Sequence, residues 1–171
     1  MLAPRWLPVL YMVPSRLHGI AGRIARAAGD RPIVVAGHSA GGAAGAAIAA
    51  DLISLHANIR GLVLIDGVDS PNHLIARRLP DLAQVRVTAV LAPPSPCNRQ
   101  GALEGFLSGH PWVRREVVPG AGHGDIEGAG IAVYRRACRD ASDAATADLL
   151  LERVMAAIAW AFGGDDADTR H

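Results

Sequence analysis

One serine stands where a buried strand should give way to a helix. In "IVVAGHSAGGAAG", Ile33 to Gly45, an apolar β-branched run stops at Gly37. His38, Ser39 and Ala40 follow, then two more glycines and an alanine-rich segment. A serine hydroxyl is a weak nucleophile unless a base takes its proton and a third group orients that base. Two other residues have the right chemistry and a comparable setting. Asp66 ends an apolar run in "GLVLIDGVDS", and His123 follows one in "VVPGAGHGDIEG". The alternative for the first stretch is that its glycines serve backbone packing alone.

These residues need elements to position them, and the patterning supplies a set. Apolar runs at Pro32–Gly37, Ile59–Asp66, Gln84–Ala92 and Val113–Gly120 read as buried strands. Between them, Ala40–Ala57 reads as a helix with small residues where it must lie close to the sheet. Ser70–Leu79 reads as a short helix with Ser70 as N-cap and Pro71 at its first position. Gly101–Gly109 reads as a weak one. Thr146–Phe162 has apolar residues at helical spacing and reads as an amphipathic helix packed on the sheet. "SRLHGIAGRIARAAG", Ser15 to Gly29, is a helix before the first of these strands, and "LPVLYMV", Leu7 to Val13, leaves room for one short strand more.

Strand–helix alternation predicts an α/β fold: a mostly parallel sheet of about four to five strands with helices on both faces. Ligands of such sheets sit at the carboxyl ends of the strands. Ser39, Asp66 and His123 all lie just past strand ends, so the topology brings them to one edge. The 171 residues form one domain over 1–164, with a charged, frayed tail at 165–171.

Composition removes several classes of function. The formal net charge is +1, and nothing points to nucleic acid or an acidic surface as partner. No apolar run reaches the length of a membrane span. "WLPVLYMVP" is short, broken by prolines and without a clear cleavage site, which reads against a signal peptide. Cys97 and Cys138 make no disulfide framework and have no metal spacing around them. They read as spectator thiols, and a reducing cytoplasm is the expected compartment. No cofactor or metal is implied.

"GHSAG", Gly37 to Gly41, fits the G-x-S-x-G elbow in its strand–turn–helix context. The turn is sharp and strains the serine backbone. Glycines 37 and 41 flank it where side chains would collide as strand and helix cross. The serine oxygen projects at the helix N-terminus, and the Ala40 N–H points where an oxyanion would form. With this motif, roughly Arg31 to Phe162 resembles the α/β-hydrolase family. The resemblance implies that Ser39 is a nucleophile and that His123, in a G-H loop after the last strand, is its base. It implies a carboxylate between them in chain order. The loop where most members carry that acid is "APPSPCNRQGALEG", which holds Asn98 and, further on, Glu104 but no Asp. Other members take it from the strand after the elbow helix, which gives Asp66, with Asp69 three residues on. Asp66 is the choice, against a purely structural Asp that binds turn amides.

The family carries further strands before the elbow strand, and one of their loops donates a second oxyanion N–H. No such donor is identified in the thirty residues before Arg31. A shortened sheet exposes an edge, which predicts either a homodimer or poor solubility. The resemblance implies a serine hydrolase that cleaves a small ester, thioester or related acyl compound. The alternative is a hydrolase-like domain that no longer catalyses and binds a small molecule or partner. A thioesterase or acyltransferase serving a carrier protein would use the same elbow. The short stretch from Asp66 to Val85 leaves little room for a lid, so the expected site is open and its substrates small. Cys97, Asn98 and Arg99 lie on the active edge, where they contact substrate or form a rigid proline-braced turn.

Overall fold

Side chains along β2 (Ile59–Ile65) alternate between two cores, and that alternation organises the molecule. Leu62 and Leu64 point to one face of the sheet, Val63 and Ile65 to the other, as the two-residue period of a strand requires. Because both sets are apolar, the strand must be covered on both faces. The computed structural model describes residues 13–127, 136, 138 and 142–163. Within them, β1 (Ile33–His38), β2, β3 (Arg86–Leu91) and β4 (Arg114–Val117) form an all-parallel sheet in the order β1-β2-β3-β4. This is the α/β architecture expected from the strand–helix alternation.

Consecutive strand order has a geometric consequence. Each crossover advances the sheet in the same direction with the same hand, so every crossover helix falls on one face. Helix α2 (Ala40–Ser54), the short α3 (Leu74–Arg78) and α4 (Ala102–Leu107) connect the strands and share one core with α1 (Pro14–Ala28). Leu17, Leu52, Ile75 and Leu107 anchor that core against Leu62, Leu64 and Val87. The opposite face is closed by α5 (Ala144–Ala161), whose Leu150, Val154, Ala157 and Ala161 pack on Val63, Ile65 and Val90. Helix α5 sits so close that a Cβ on Gly61 would come within 2.8 Å of the Ala161 Cβ. Asp143 caps this helix by accepting from the Thr146 backbone N–H at 2.8 Å.

The element boundaries depart from the sequence reading at one helix. The stretch expected to be helical from Ser70 begins only at Leu74, behind His73 in a left-handed conformation (φ 54°), and runs on into a 3-10 turn at Leu79–Leu82. Pro71 is therefore not its first residue. Its exposed amides go instead to Asp69, whose carboxylate accepts from the N–H groups of Ser70, Ile75 and Ala76, while Ser70 Oγ accepts from Leu74 N. An acidic residue reaching forward by six and seven positions can cap a helix that a neighbouring serine was expected to cap alone. The candidate strand Leu7–Val13 lies outside the described residues except for Val13, as does the tail at 165–171. No helix among the described residues is long and apolar enough to cross a membrane.

Candidate active site

The elbow is strained where the sequence places it. Ser39 has φ 54° and ψ −127°, a combination that non-glycine residues avoid. Three hydrogen bonds hold the turn: Ser39 N donates to Ile65 O at 3.1 Å, and Ser39 O accepts from Gly42 N at 3.0 Å and Val68 N at 2.9 Å. The close crossing of β1 and α2 rests on Gly37, where a Cβ would lie 2.3 Å from the Gly41 carbonyl oxygen. Gly41 differs from the expectation, since a Cβ there would meet no atom within 4 Å. The crowding is therefore one-sided: Gly37 makes room for the backbone of Gly41.

Ser39, His123 and Asp66 meet at the carboxyl edge of the sheet. The Ser39 hydroxyl lies 2.9 Å from His123 Nε2, and His123 Nδ1 lies 2.6 Å from Asp66 Oδ2. A carboxylate can only accept, so Nδ1 carries the proton and Nε2 is left with its lone pair toward the serine. That is the tautomer a general base requires. Asp66 and His123 are each 3 % exposed, which keeps water from competing for their bond. Ala40 opens α2, and its N–H is one of the first-turn amides that have no carbonyl within the helix.

Asp66 is held by groups that sequence reasoning did not assign. Its backbone adopts φ 40°, and its Oδ1 accepts from Ala92 N at 3.1 Å. The Asn98 side-chain amide lies 3.2 Å from both carboxylate oxygens, and the Asn98 oxygen accepts from Ser95 N and Gly101 N. Asn98 is 3 % exposed, so it is a buried strut between the acid and its own loop. The other two carboxylates considered for the acid sit elsewhere. Asp69 caps α3, and Glu104 lies partly exposed in the first turn of α4.

Two further contacts fix the His123 loop. His38 Nε2 lies 2.7 Å from the His123 carbonyl oxygen and donates to it, while His38 Nδ1 lies 3.1 Å from Glu127. The elbow histidine therefore ties the Ser39 turn to the His123 loop. Asp125 accepts from Gly122 N at 2.7 Å and from Ser142 Oγ at 2.5 Å, closing the loop from its other side. The signal for both was present in the sequence as polar residues one and two positions from Ser39 and His123. Their partners are 85 and 17 residues away, and no local pattern specifies them.

Cys97 and Cys138 form a disulfide. This corrects their reading as spectator thiols. Two cysteines 41 positions apart carry no spacing signature, and only the fold brings their Cα atoms to 5.1 Å. The bridge ties Cys97, next to Asn98, to the chain segment that follows the His123 loop. Among the described residues, no group of three or more His, Cys, Asp or Glu side chains is arranged to hold a metal.

Comparison with protein-family models, with curated proteins and with solved structures gives no match.

Proposed function

We propose that this protein is a serine hydrolase of the α/β-hydrolase type, cleaving a small ester, thioester or related acyl compound through an acyl-enzyme. The observation that carries the reading is the continuous relay from Ser39 Oγ through His123 to Asp66, with bonds of 2.9 and 2.6 Å. Strain at the serine, the orienting strut on the acid and the tautomer of the histidine all serve that one chemistry.

In the proposed reaction Ser39 Oγ attacks the acyl carbon while its proton passes to His123 Nε2. The Ala40 N–H stabilises the negative oxygen that develops. The bond to the leaving oxygen or sulfur then breaks, and His123 returns the proton to the departing group. Water, deprotonated by His123, attacks the acyl-enzyme, and the carboxylic acid leaves as the serine regains its proton. Asp66 stays ionised throughout and stabilises the imidazolium formed in each half.

A small acyl compound is the proposed partner. The proposed assembly is a homodimer through the open edge of β1, an outer strand among the described residues, checked by size-exclusion chromatography with light scattering. The cytoplasmic compartment expected from the sequence rested on free thiols. The disulfide favours an oxidising compartment instead.

The test is labelling of purified protein with a fluorophosphonate, comparing wild type with Ser39→Ala. Labelling in the parent and its absence in the variant are expected. A folded wild-type protein that takes up no probe refutes the proposal.

A further inference from the structure

A small cavity opens beside the elbow, at the carboxyl ends of β2 and β3, where ligands of parallel sheets are bound. It has a volume of about 190 Å³. It shares a wall with the candidate site on two sides. Val68, which lines it, donates its N–H to the Ser39 carbonyl oxygen, and Asn98, which also lines it, is the strut on Asp66. Ala76 from α3, and Ala102, Leu103 and Phe106 from α4, give it apolar walls, and Asp69, His73 and Arg99 add polar side chains.

We infer that this cavity is the acyl pocket, and that it takes a neutral aliphatic chain of about six carbons. The inference rests on the hydrolase reading above and adds the substrate class to it. Volume sets the length, since a cavity of ~150 Å³ accommodates benzene, a group of six carbons. Charge sets the polarity. Arg99 and Asp69 border the cavity with opposite signs, and the Asp69 carboxylate is already engaged by three backbone N–H groups of the α3 cap. The formal charges of Arg99 and Asp69 offset, His73 stands 4.0 Å from Asp69, and most of the remaining lining is apolar. The course of the reaction favours the acyl group over the alcohol as the cavity's occupant. The acyl group must remain bound through both halves of the reaction, whereas the alcohol must depart after the first.

Arg99 is presented by an unusual piece of backbone. Arg99, Gln100 and Gly101 have φ values of 54°, 58° and 72°, three successive left-handed residues. The Asn98 side chain ties this turn together by accepting from Ser95 N and Gly101 N, and the Cys97 disulfide anchors its start. The rim of the cavity is therefore built in a fixed shape, as a pocket that selects chain length requires.

The experiment is a chain-length profile with p-nitrophenyl esters from acetate to dodecanoate, on wild type, Ala76→Leu and Phe106→Ala. The wild-type kcat/KM should climb roughly fourfold per added methylene to a maximum near the hexanoate and fall beyond it. Ala76→Leu should move the maximum to shorter chains and lower the hexanoate-to-acetate ratio at least about tenfold. Phe106→Ala should move it to longer ones. A flat profile, or a maximum that neither variant shifts, overturns the inference. A second readout separates this from failure of the hydrolase reading. Hexanoate titrated into Ser39→Ala protein should perturb the backbone amide resonances of Val68, Ala76 and Phe106. Those shifts without any ester hydrolysis by wild type would retain the pocket and reject the enzyme. Hydrolysis with a flat profile and no shifts would do the reverse.

Discussion

Replacing Asp66 by Asn tests the relay at its most buried bond. The change is isosteric and removes one charge. The surroundings then decide which way the new amide turns. Oδ1 accepts from the buried Ala92 N–H at 3.1 Å, so the amide oxygen is held in that place. The NH2 group consequently faces His123 Nδ1, where Oδ2 stood at 2.6 Å. Nδ1 must now accept, the proton moves to Nε2, and Ser39 loses its base. The opposite orientation keeps the useful tautomer but leaves the Ala92 N–H without an acceptor, at a cost of about 1–3 kcal/mol. Only a minor population is then productive, a loss of roughly 5- to 150-fold. That population also lacks the carboxylate charge beside the developing imidazolium. Together these lower kcat by about 10³- to 10⁴-fold, or about 4–5.5 kcal/mol of barrier. The assay is hydrolysis of p-nitrophenyl butyrate alongside the rate of fluorophosphonate labelling, with thermal unfolding to confirm the fold. A folded Asp66→Asn protein within about tenfold of wild type would show that the relay does not run through Asp66.

Three other outcomes follow from the same geometry. Gly37→Ala places a Cβ 2.3 Å from the Gly41 oxygen, and the loss of stability in urea should reach about 3 kcal/mol, the upper end of ordinary overpacking; a loss below about 1 kcal/mol would contradict the close crossing. The disulfide closes a loop with a sequence separation of 41, so Cys97→Ser should lower stability by about 4 kcal/mol on the chain-entropy estimate, and unchanged unfolding midpoints with and without reductant would refute its formation. Thr146 backbone and side-chain hydrogen bonds hold the Asp143 carboxyl below its ordinary value. A depressed folded value means that the cap's contribution is present above the unfolded value and is lost as pH falls through the folded one. The protection of the amides at the start of α5, measured against their intrinsic exchange rates, should therefore fall on acidification, and Asp143→Asn should remove that pH dependence.

Much of the fold was legible because the sheet is parallel and covered on both faces. Such strands are continuous apolar runs, and the four at Pro32–Gly37, Ile59–Asp66, Gln84–Ala92 and Val113–Gly120 coincide with β1 to β4 to within a few residues at each end. The helix over residues 70–79 was misplaced because its cap is Asp69, acting over six and seven positions, and local propensity does not register such a reach. The cysteines were misread for a similar reason, since a single bridge between distant loops leaves no periodic trace.

The sequence by itself determined the elbow. Gly37, Ser39 and an apolar strand before them are local features, and local sterics are sufficient to specify a strained turn. It also determined that Ser39, Asp66 and His123 share an edge, because strand direction fixes where strand ends fall. The strand-end position and the family resemblance singled out Asp66, but only the tertiary structure brings its carboxylate, and not that of Asp69 or Glu104, to the histidine. Asp66 is set apart by a backbone at φ 40°, by the Ala92 N–H on Oδ1 and by the Asn98 amide on both oxygens, with Oδ2 also 2.6 Å from His123. Contacts across 26, 32 and 57 residues depend on how strands and loops pack in space, and hydrogen-bond geometry, unlike hydrophobic periodicity, has no signature until that packing exists.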